Sequence, residues 1–331
     1  MEEPAAAKMR RLMDGFWVSQ AIFVAAQLGI ADHFARGEQD SDTLAASLGA
    51  HPAALYRLLR ALTSLGIFAE TSPRKFALTP LAACLCSDDP ESVRPWAVSM
   101  AELSWKPWGD LQHCIKSGQS AFPRIYGQSR YAYLETHPEQ AAWFDHAMSA
   151  FSGEIAKAIA IHYAGSPLGK IVDVGGGQGT LLGALLRSNP ESSGILLERP
   201  GIIARAQALM DSHGLSGRCR CIAGDFLLSV PEGADTCLLS AILHNWDNDA
   251  ATAILRNCRY AMNASGKILI VDSVLEPDSN PHVNLLDLHM LVMHGGQERT
   301  RVEFLNLITA AGLRLERIIP LSGSCIIECR R

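Results

Sequence analysis

His244 falls just after an apolar run, Ala234–Leu239, and is followed by Trp246 and Asp247. Asp272 ends a later apolar run, and Glu298 sits in the turn Gly295-Gly-Gln-Glu-Arg-Thr300. An imidazole flanked by carboxylates is the pattern of an oriented general base. An unperturbed histidine has a pKa of about 6.5 and a phenol one of about 10. A neutral imidazole can therefore take a phenolic proton while the oxygen attacks an electrophile, and a neighbouring carboxylate stabilises the imidazolium that forms. A single histidine after a strand is more often structural than catalytic, so the weight rests on its company.

A second constellation runs from Lys170 to Thr180, Lys-Ile-Val-Asp-Val-Gly-Gly-Gly-Gln-Gly-Thr. Ile171, Val172 and Val174 predict a short buried strand. Gly175, Gly176, Gly177 and Gly179 predict a tight turn, and Leu181–Arg187 a helix that ends before Asn189-Pro190. Glycines permit positive φ and let a ligand approach the backbone. Glu198 lies 23 residues beyond Gly175, close to the roughly 20-residue spacing at which an acid reaches ribose hydroxyls. The turn reads G-x-G-x-G, not the dinucleotide G-x-G-x-x-G, and no Gly-Lys-Ser/Thr follows it. An adenosine ligand without a pyrophosphate suits it best, and S-adenosylmethionine fits that description.

The elements that must hold these residues alternate strand and helix. Strands are expected at Gly194–Leu197, Cys219–Ile222, Ala234–Leu239 and Ile268–Val271, then near Leu313–Ile319 and Ser324–Cys329. Helices are expected at Ile202–Met210, Asp249–Met262, Val283–His294 and Val302–Ala311. Asp173, Glu198, Asp225, His244 and Asp272 all fall at or after strand carboxyl ends, the edge where open α/β sheets bind ligands. The fold class is α/β, a Rossmann-like doubly wound sheet.

Upstream, residues 9–36 read as helix with Phe16, Trp17, Ile22, Phe23, Val24 and Leu28 spread around it, a helix buried on more than one side and shared between two subunits. Ser41 and Asp42 are expected to cap a helix that Gly49 ends. His51-Pro52 opens a second helix carrying Leu55, Leu58, Leu59 and Leu62. Ile67–Ala69 and Lys75–Leu78 form a hairpin, completing a winged-helix outline. Residues 91–165 are helical and rich in aromatics and Met, a composition suited to a flat aromatic substrate. The expected domains are 1–100, winged-helix-like; 101–165, a helical connector lining the substrate pocket; and 166–331, the catalytic domain.

The chain has 331 residues, net charge −5 and 48% hydrophobic residues. The acidic balance argues against a nucleic-acid partner despite the winged-helix outline. No apolar run approaches the roughly 18–20 residues needed to span a bilayer. No cleavable N-terminal export signal is legible. The nine cysteines lack zinc-ribbon spacing, so reduced thiols in the cytoplasm are expected. No metal site is expected.

Asp173-Val-Gly-Gly-Gly-Gln-Gly, Gly224-Asp-Phe226, His244-Asn-Trp-Asp247 and Gly295-Gly-Gln-Glu-Arg-Thr300 together resemble the S-adenosylmethionine-dependent small-molecule O-methyltransferases of the caffeic acid, hydroxyindole and bacterial polyketide or phenazine type. The resemblance spans nearly the whole chain. It implies a class I methyltransferase fold, with the mainly helical N-terminal domain serving homodimerisation. It implies His244 as base with Asp272 and Glu298 flanking it. The cofactor residues it implies are Asp173, Gly175, Gly177, Glu198, Asp225, Phe226, Ser240 and Trp246. A small aromatic acceptor is expected against Trp96, Met100, Phe144, Met148, His289 and Met293. Three positions depart from the family pattern: Glu198 for a commoner Asp, Asn245 for Asp, and Ser240 for Lys or Arg. The alternatives are the same fold and cofactor performing N-methylation, hydroxylation, decarboxylation or pericyclic chemistry, or a winged-helix DNA-binding regulator.

Overall fold

A computed structural model describes residues 3–277 and 280–331. The chain divides into two compact units. One comprises the residues up to Trp105 together with Ala142–Ala150; the other comprises Lys106–Ala141 and Phe151–Arg331. The segment 101–165 is thus shared between the two, and the helix Pro138–His162 contributes to both.

In the first unit the expected long N-terminal helix is three helices, Ala5–Met13, Gly15–Gln27 and Ile30–Phe34. Gly29, at φ +63, sets the last break. Asp40, not Ser41 or Asp42, caps the helix Ser41–Leu48, its carboxylate accepting from the backbone of Asp42 and Thr43. Gly49 ends that helix in the left-handed conformation, as a C-terminal glycine does. Strands β1 (Gln39–Asp40), β2 (Phe68–Ser72) and β3 (Lys75–Leu78) form an antiparallel sheet in the order β1-β3-β2. Leu44, Leu55, Leu59, Leu62, Phe68 and Phe76 share its core.

The second unit is built on a seven-stranded sheet. Its strands are β4 (Lys170–Val174), β5 (Ser193–Glu198), β6 (Cys219–Ala223), β7 (Ala234–Ser240), β8 (Met262–Asp272), β11 (Arg314–Pro320) and β12 (Cys325–Arg330), in the order β11-β12-β8-β7-β4-β5-β6. The short strands β9 (Val274–Leu275) and β10 (Arg299–Thr300) pair separately. β12 runs antiparallel to β8 and to β11, and the pairings from β8 through β6 are all parallel.

Side chains along the strands alternate between two cores. Val172, Val174, Leu239, Ile268 and Ile270 pack with the helices Asn248–Ala261 and Arg301–Ala310. Ile171, Leu196, Leu238 and Leu269 pack with Thr180–Ser188 and Pro200–Ser212. A sheet buried on both faces requires the near-continuous apolar strands seen in the sequence. Strand order reverses at β4, which places a crevice at the carboxyl ends of β4 and β7.

Candidate active site

The turn after β4 is shaped from beneath. Asp173 is 1% exposed, and a Cβ on Gly176 would overlap its carboxylate, so only glycine closes the turn here. A Cβ on Gly175 would meet Ile242 Cδ1 at 2.6 Å, and one on Gly179 would meet Met210 Cε at 2.5 Å. Both are packing glycines. Gly177, at φ +57, has open space where its Cβ would stand, and its N–H donates to Glu198 Oε2 at 3.1 Å. Glu198 Oε1 accepts from the Arg199 N–H at 2.8 Å.

Neither Asp173 carboxyl oxygen is hydrogen-bonded within the protein. Burial, reinforced by the charge of Glu198, pushes the Asp173 pKa up to about 7. Buried carboxyls are normally hydrogen-bonded, so this pair of acceptors suits a ligand ammonium. That feature and the open face at Gly177 fit S-adenosylmethionine, whose amino group and adenosine need an acid and close backbone approach.

His244 sits in the single 3₁₀ turn Leu243–Asn245 after β7. Its Nδ1 lies 2.7 Å from Glu298 Oε1 and 3.9 Å from Asp272 Oδ1. Both acids are buried. A carboxylate only accepts, so Nδ1 carries the proton and Nε2 keeps its lone pair. Burial pulls the His244 pKa down; Asp272, then the hydrogen bond and charge of Glu298, outweigh it, and the net direction is up. Burial pushes Asp272 up to about 7, with His244 opposing and Glu298 adding to the rise.

Three residues support this turn: Arg299 and Gly296, inside the motif Gly295–Thr300 but given no role by the sequence, and Ala241, which no motif marks. Arg299 is fully buried and donates to the carbonyls of Leu243 at 2.9 Å and Trp246 at 2.8 Å, and to Asn248 Oδ1 at 3.1 Å. It clasps the turn on either side of His244. Gly296 packs directly against the His244–Trp246 backbone. Ala241 is held at φ +54, a conformation costly for a residue with a Cβ. Its carbonyl accepts from Asn245 Nδ2 at 2.9 Å, which gives the departure at Asn245 a local role.

Asp225 is exposed at the β6 end, its Oδ1 accepting from the Leu227 N–H. The rings of Phe226 and Trp246 meet edge to face at 6.0 Å, both against the core beneath β7. Ser240 closes β7 opposite Val271. His289 and Met293 are buried one helical turn apart on Pro281–His294. Trp96, Met100, Phe144 and Met148 belong to the first unit. Among the described residues, no group of three or more His, Cys, Asp or Glu is placed to hold a metal, and no helix is long and apolar enough to cross a membrane.

Residues 108–314 match the family model of an O-methyltransferase domain, and residues 10–88 that of an O-methyltransferase dimerisation domain. The phenazine O-methyltransferase PhzM of Lysobacter antibioticus is 42% identical over 99% of this chain and 96% of its own. A phenazine-1-carboxylate N-methyltransferase of Pseudomonas aeruginosa is 30% identical over 98% of both. The solved O-methyltransferase NcsB1 from neocarzinostatin biosynthesis, in complex with S-adenosylmethionine and 2-hydroxy-5-methyl naphthoic acid, superposes with a TM-score of 0.85 at 36% identity, covering 95% of each chain.

Proposed function

The chain belongs to the O-methyltransferase family that uses S-adenosylmethionine and carries a dimerisation domain, and on that premise we propose that it methylates a ring hydroxyl of a small aromatic secondary metabolite, with His244 as general base. The observation that carries this reading is the 2.7 Å contact between His244 Nδ1 and Glu298 at the ligand edge of the sheet. With Nδ1–H committed to Glu298, Nε2 is the atom that takes the acceptor proton. Asp272 and Glu298 stabilise the imidazolium that results. Arg299 and Gly296 hold the turn in register, and orientation of this kind contributes roughly 7–11 kcal/mol in well-placed reactants. S-adenosylmethionine supplies the methyl group on a sulfonium and leaves as S-adenosylhomocysteine. Asp173 would receive its amino group and Glu198 its ribose hydroxyls, with Phe226 and Trp246 beside the adenine.

The acceptor class follows from the relatives, whose names specify phenazines and a naphthoic acid. A ring nitrogen is the second reading, favoured by the N-methyltransferase relative. Labelled cofactor offered to a panel of hydroxylated and aza-aromatic rings tests both. The product should gain the mass of one methylene on oxygen; methylation on nitrogen only would replace the first reading with the second.

The first unit is proposed to form a homodimer. Leu12, Phe16 and Trp17 on its first two helices are exposed by 52–62%, a patch that isologous pairing would cover. Light scattering at micromolar concentration should give twice the chain mass, and a monomer would overturn it. All nine cysteines are free, as suits the cytoplasm. The net charge of −5 supports an enzyme without a nucleic-acid partner.

A further inference from the structure

Aspartate is a poor residue for the middle of a helix, where its short side chain competes for the backbone. Asp287 nevertheless stands midway along Pro281–His294, among Leu285, Leu286 and Leu288. The helix ends at Gly295, whose φ of +75 turns the chain back. The returning segment brings in Glu298, whose backbone N–H donates to Asp287 Oδ1 at 2.8 Å. The same helix packs against the turn Leu243–Asn245 that carries His244. All of these residues belong to the second unit.

Glu298 has little else to fix its side chain. Its Oε1 meets His244 Nδ1 at 2.7 Å, and its Oε2 has no hydrogen-bond partner among the described residues. Where the carboxylate stands is therefore set by its backbone. Three ties hold that backbone. Arg299 clasps the His244 turn. β10 pairs with β9, just beyond Asp272, with Arg299 opposite Val274. Asp287 takes the N–H of Glu298 itself.

Resting on the reading of His244 as the base, we propose that Asp287 is a positioning residue for the reaction: through the Glu298 backbone it holds the Glu298 carboxylate against His244 Nδ1. It thereby fixes the orientation and the basicity of the imidazole without touching the acceptor.

The charged groups that face Asp287 are Glu298, Glu303 and Arg299. Burial, Asp272, Glu298 and the Ala241 backbone set the His244 pKa, so a change at Asp287 reaches the imidazole through Glu298. His289 and His294, on the helix of Asp287, also feel His244, and burial keeps both neutral. A protonated Asp287 still offers a carbonyl oxygen that accepts, so the tie persists while His244 titrates.

The test titrates His244 in the full-length protein with S-adenosylhomocysteine bound, by NMR of labelled imidazole, with His244→Gln assigning the resonance. The acidic limb of kcat/KM is followed alongside. In Asp287→Ala the His244 pKa should fall by about one pH unit, the low end of what a close carboxylate contributes. The value of kcat should drop by about tenfold through misplacement of the turn's partner. Asp287→Asn keeps an oxygen that accepts from the Glu298 N–H and should restore both. In a Glu298→Gln background, Asp287→Ala should move the His244 pKa no further. A His244 pKa unmoved in folded Asp287→Ala overturns the proposal. So does an equal fall in Asp287→Asn, which would assign the effect to charge, and so does a full additional fall in the double variant. If Asp287→Ala fails to fold, Asp287→Ser, too short to reach the N–H, takes its place with the same outcomes. A kinetic limb that stays put while the NMR pKa moves upholds Asp287 and removes His244 as the base.

Discussion

Gly296 and His244 meet backbone to backbone: a Cβ added at Gly296 would overlap the His244 carbonyl oxygen and crowd Asn245 and Trp246. The glycine two residues before the motif acid is therefore a spacer for the turn that carries the base. Gly296→Ala should fold and should lose about 10²-fold in kcat, the scale of an ångström-sized misplacement. Circular dichroism and single-turnover rates check this. A folded variant turning over at the wild-type rate would show that the turn yields without consequence.

His244→Gln removes the basic nitrogen while keeping some bulk. Methyl transfer to a neutral phenol should fall by roughly 10²–10⁴, with S-adenosylhomocysteine affinity nearly unchanged. An acceptor already ionised at the assay pH should recover part of the loss. Near-normal turnover of a neutral phenol would eliminate His244 as the base.

The pH dependence has a definite sign. His244 must be neutral to act, and its pKa is raised, with Asp272 and Glu298 outweighing burial. The acidic limb of kcat/KM should therefore lie above the ordinary histidine value of about 6.5. Glu298→Gln removes one charge and should move that limb to lower pH. The same group contributes stability that is fully present below the unfolded histidine pKa and is lost as pH rises through the folded one. A limb unmoved in Glu298→Gln would detach the titration from this pair.

Asp173 titrates in the opposite service. Burial and Glu198 raise its pKa to about 7 from an ordinary 3.8, so the folded state binds a proton that the unfolded state has released. Stability without cofactor should then fall as pH rises between those values. Asp173→Asn should raise the melting temperature of the cofactor-free protein at pH above about 7 and weaken S-adenosylhomocysteine binding there by about tenfold or more. Tighter or equal binding in the variant would remove Asp173 from the cofactor site.

Two glycines of one turn should separate packing from binding. A Cβ on Gly179 would meet Met210 and Leu196, whereas one on Gly177 would meet no protein atom. Gly179→Ala should cost more stability than Gly177→Ala, which carries only the left-handed strain of about 1–2 kcal/mol. Gly177→Ala should show the larger loss of cofactor affinity relative to its loss of stability. Thermal melts and calorimetry on both variants decide it; the reverse order would refute the division.

The sequence alone determined the succession of strands and helices, because apolar periodicity and turn residues act over a few positions. Expected strand Gly194–Leu197 is Ser193–Glu198, and expected helix Val283–His294 is Pro281–His294. It also put Asp173, Glu198, Asp225, His244 and Asp272 at strand carboxyl ends, since a strand that stops at a polar residue delivers it to the sheet edge. Local reading failed even nearby where adjacent side-chain acceptors compete for the same backbone N–H groups, as when Asp40 took the cap expected of Ser41 or Asp42. The tertiary structure alone decided which polar groups meet. Trp108 fixes the proton of His289 from 181 residues away, and Glu298 that of His244 from 54. Arg299 appears in the sequence only as a member of the Gly295–Thr300 motif, and the fold buries it fully under the catalytic turn. Charge is a property of the residue, whereas burial, protonation and hydrogen-bond direction are properties of the neighbours that packing brings to it.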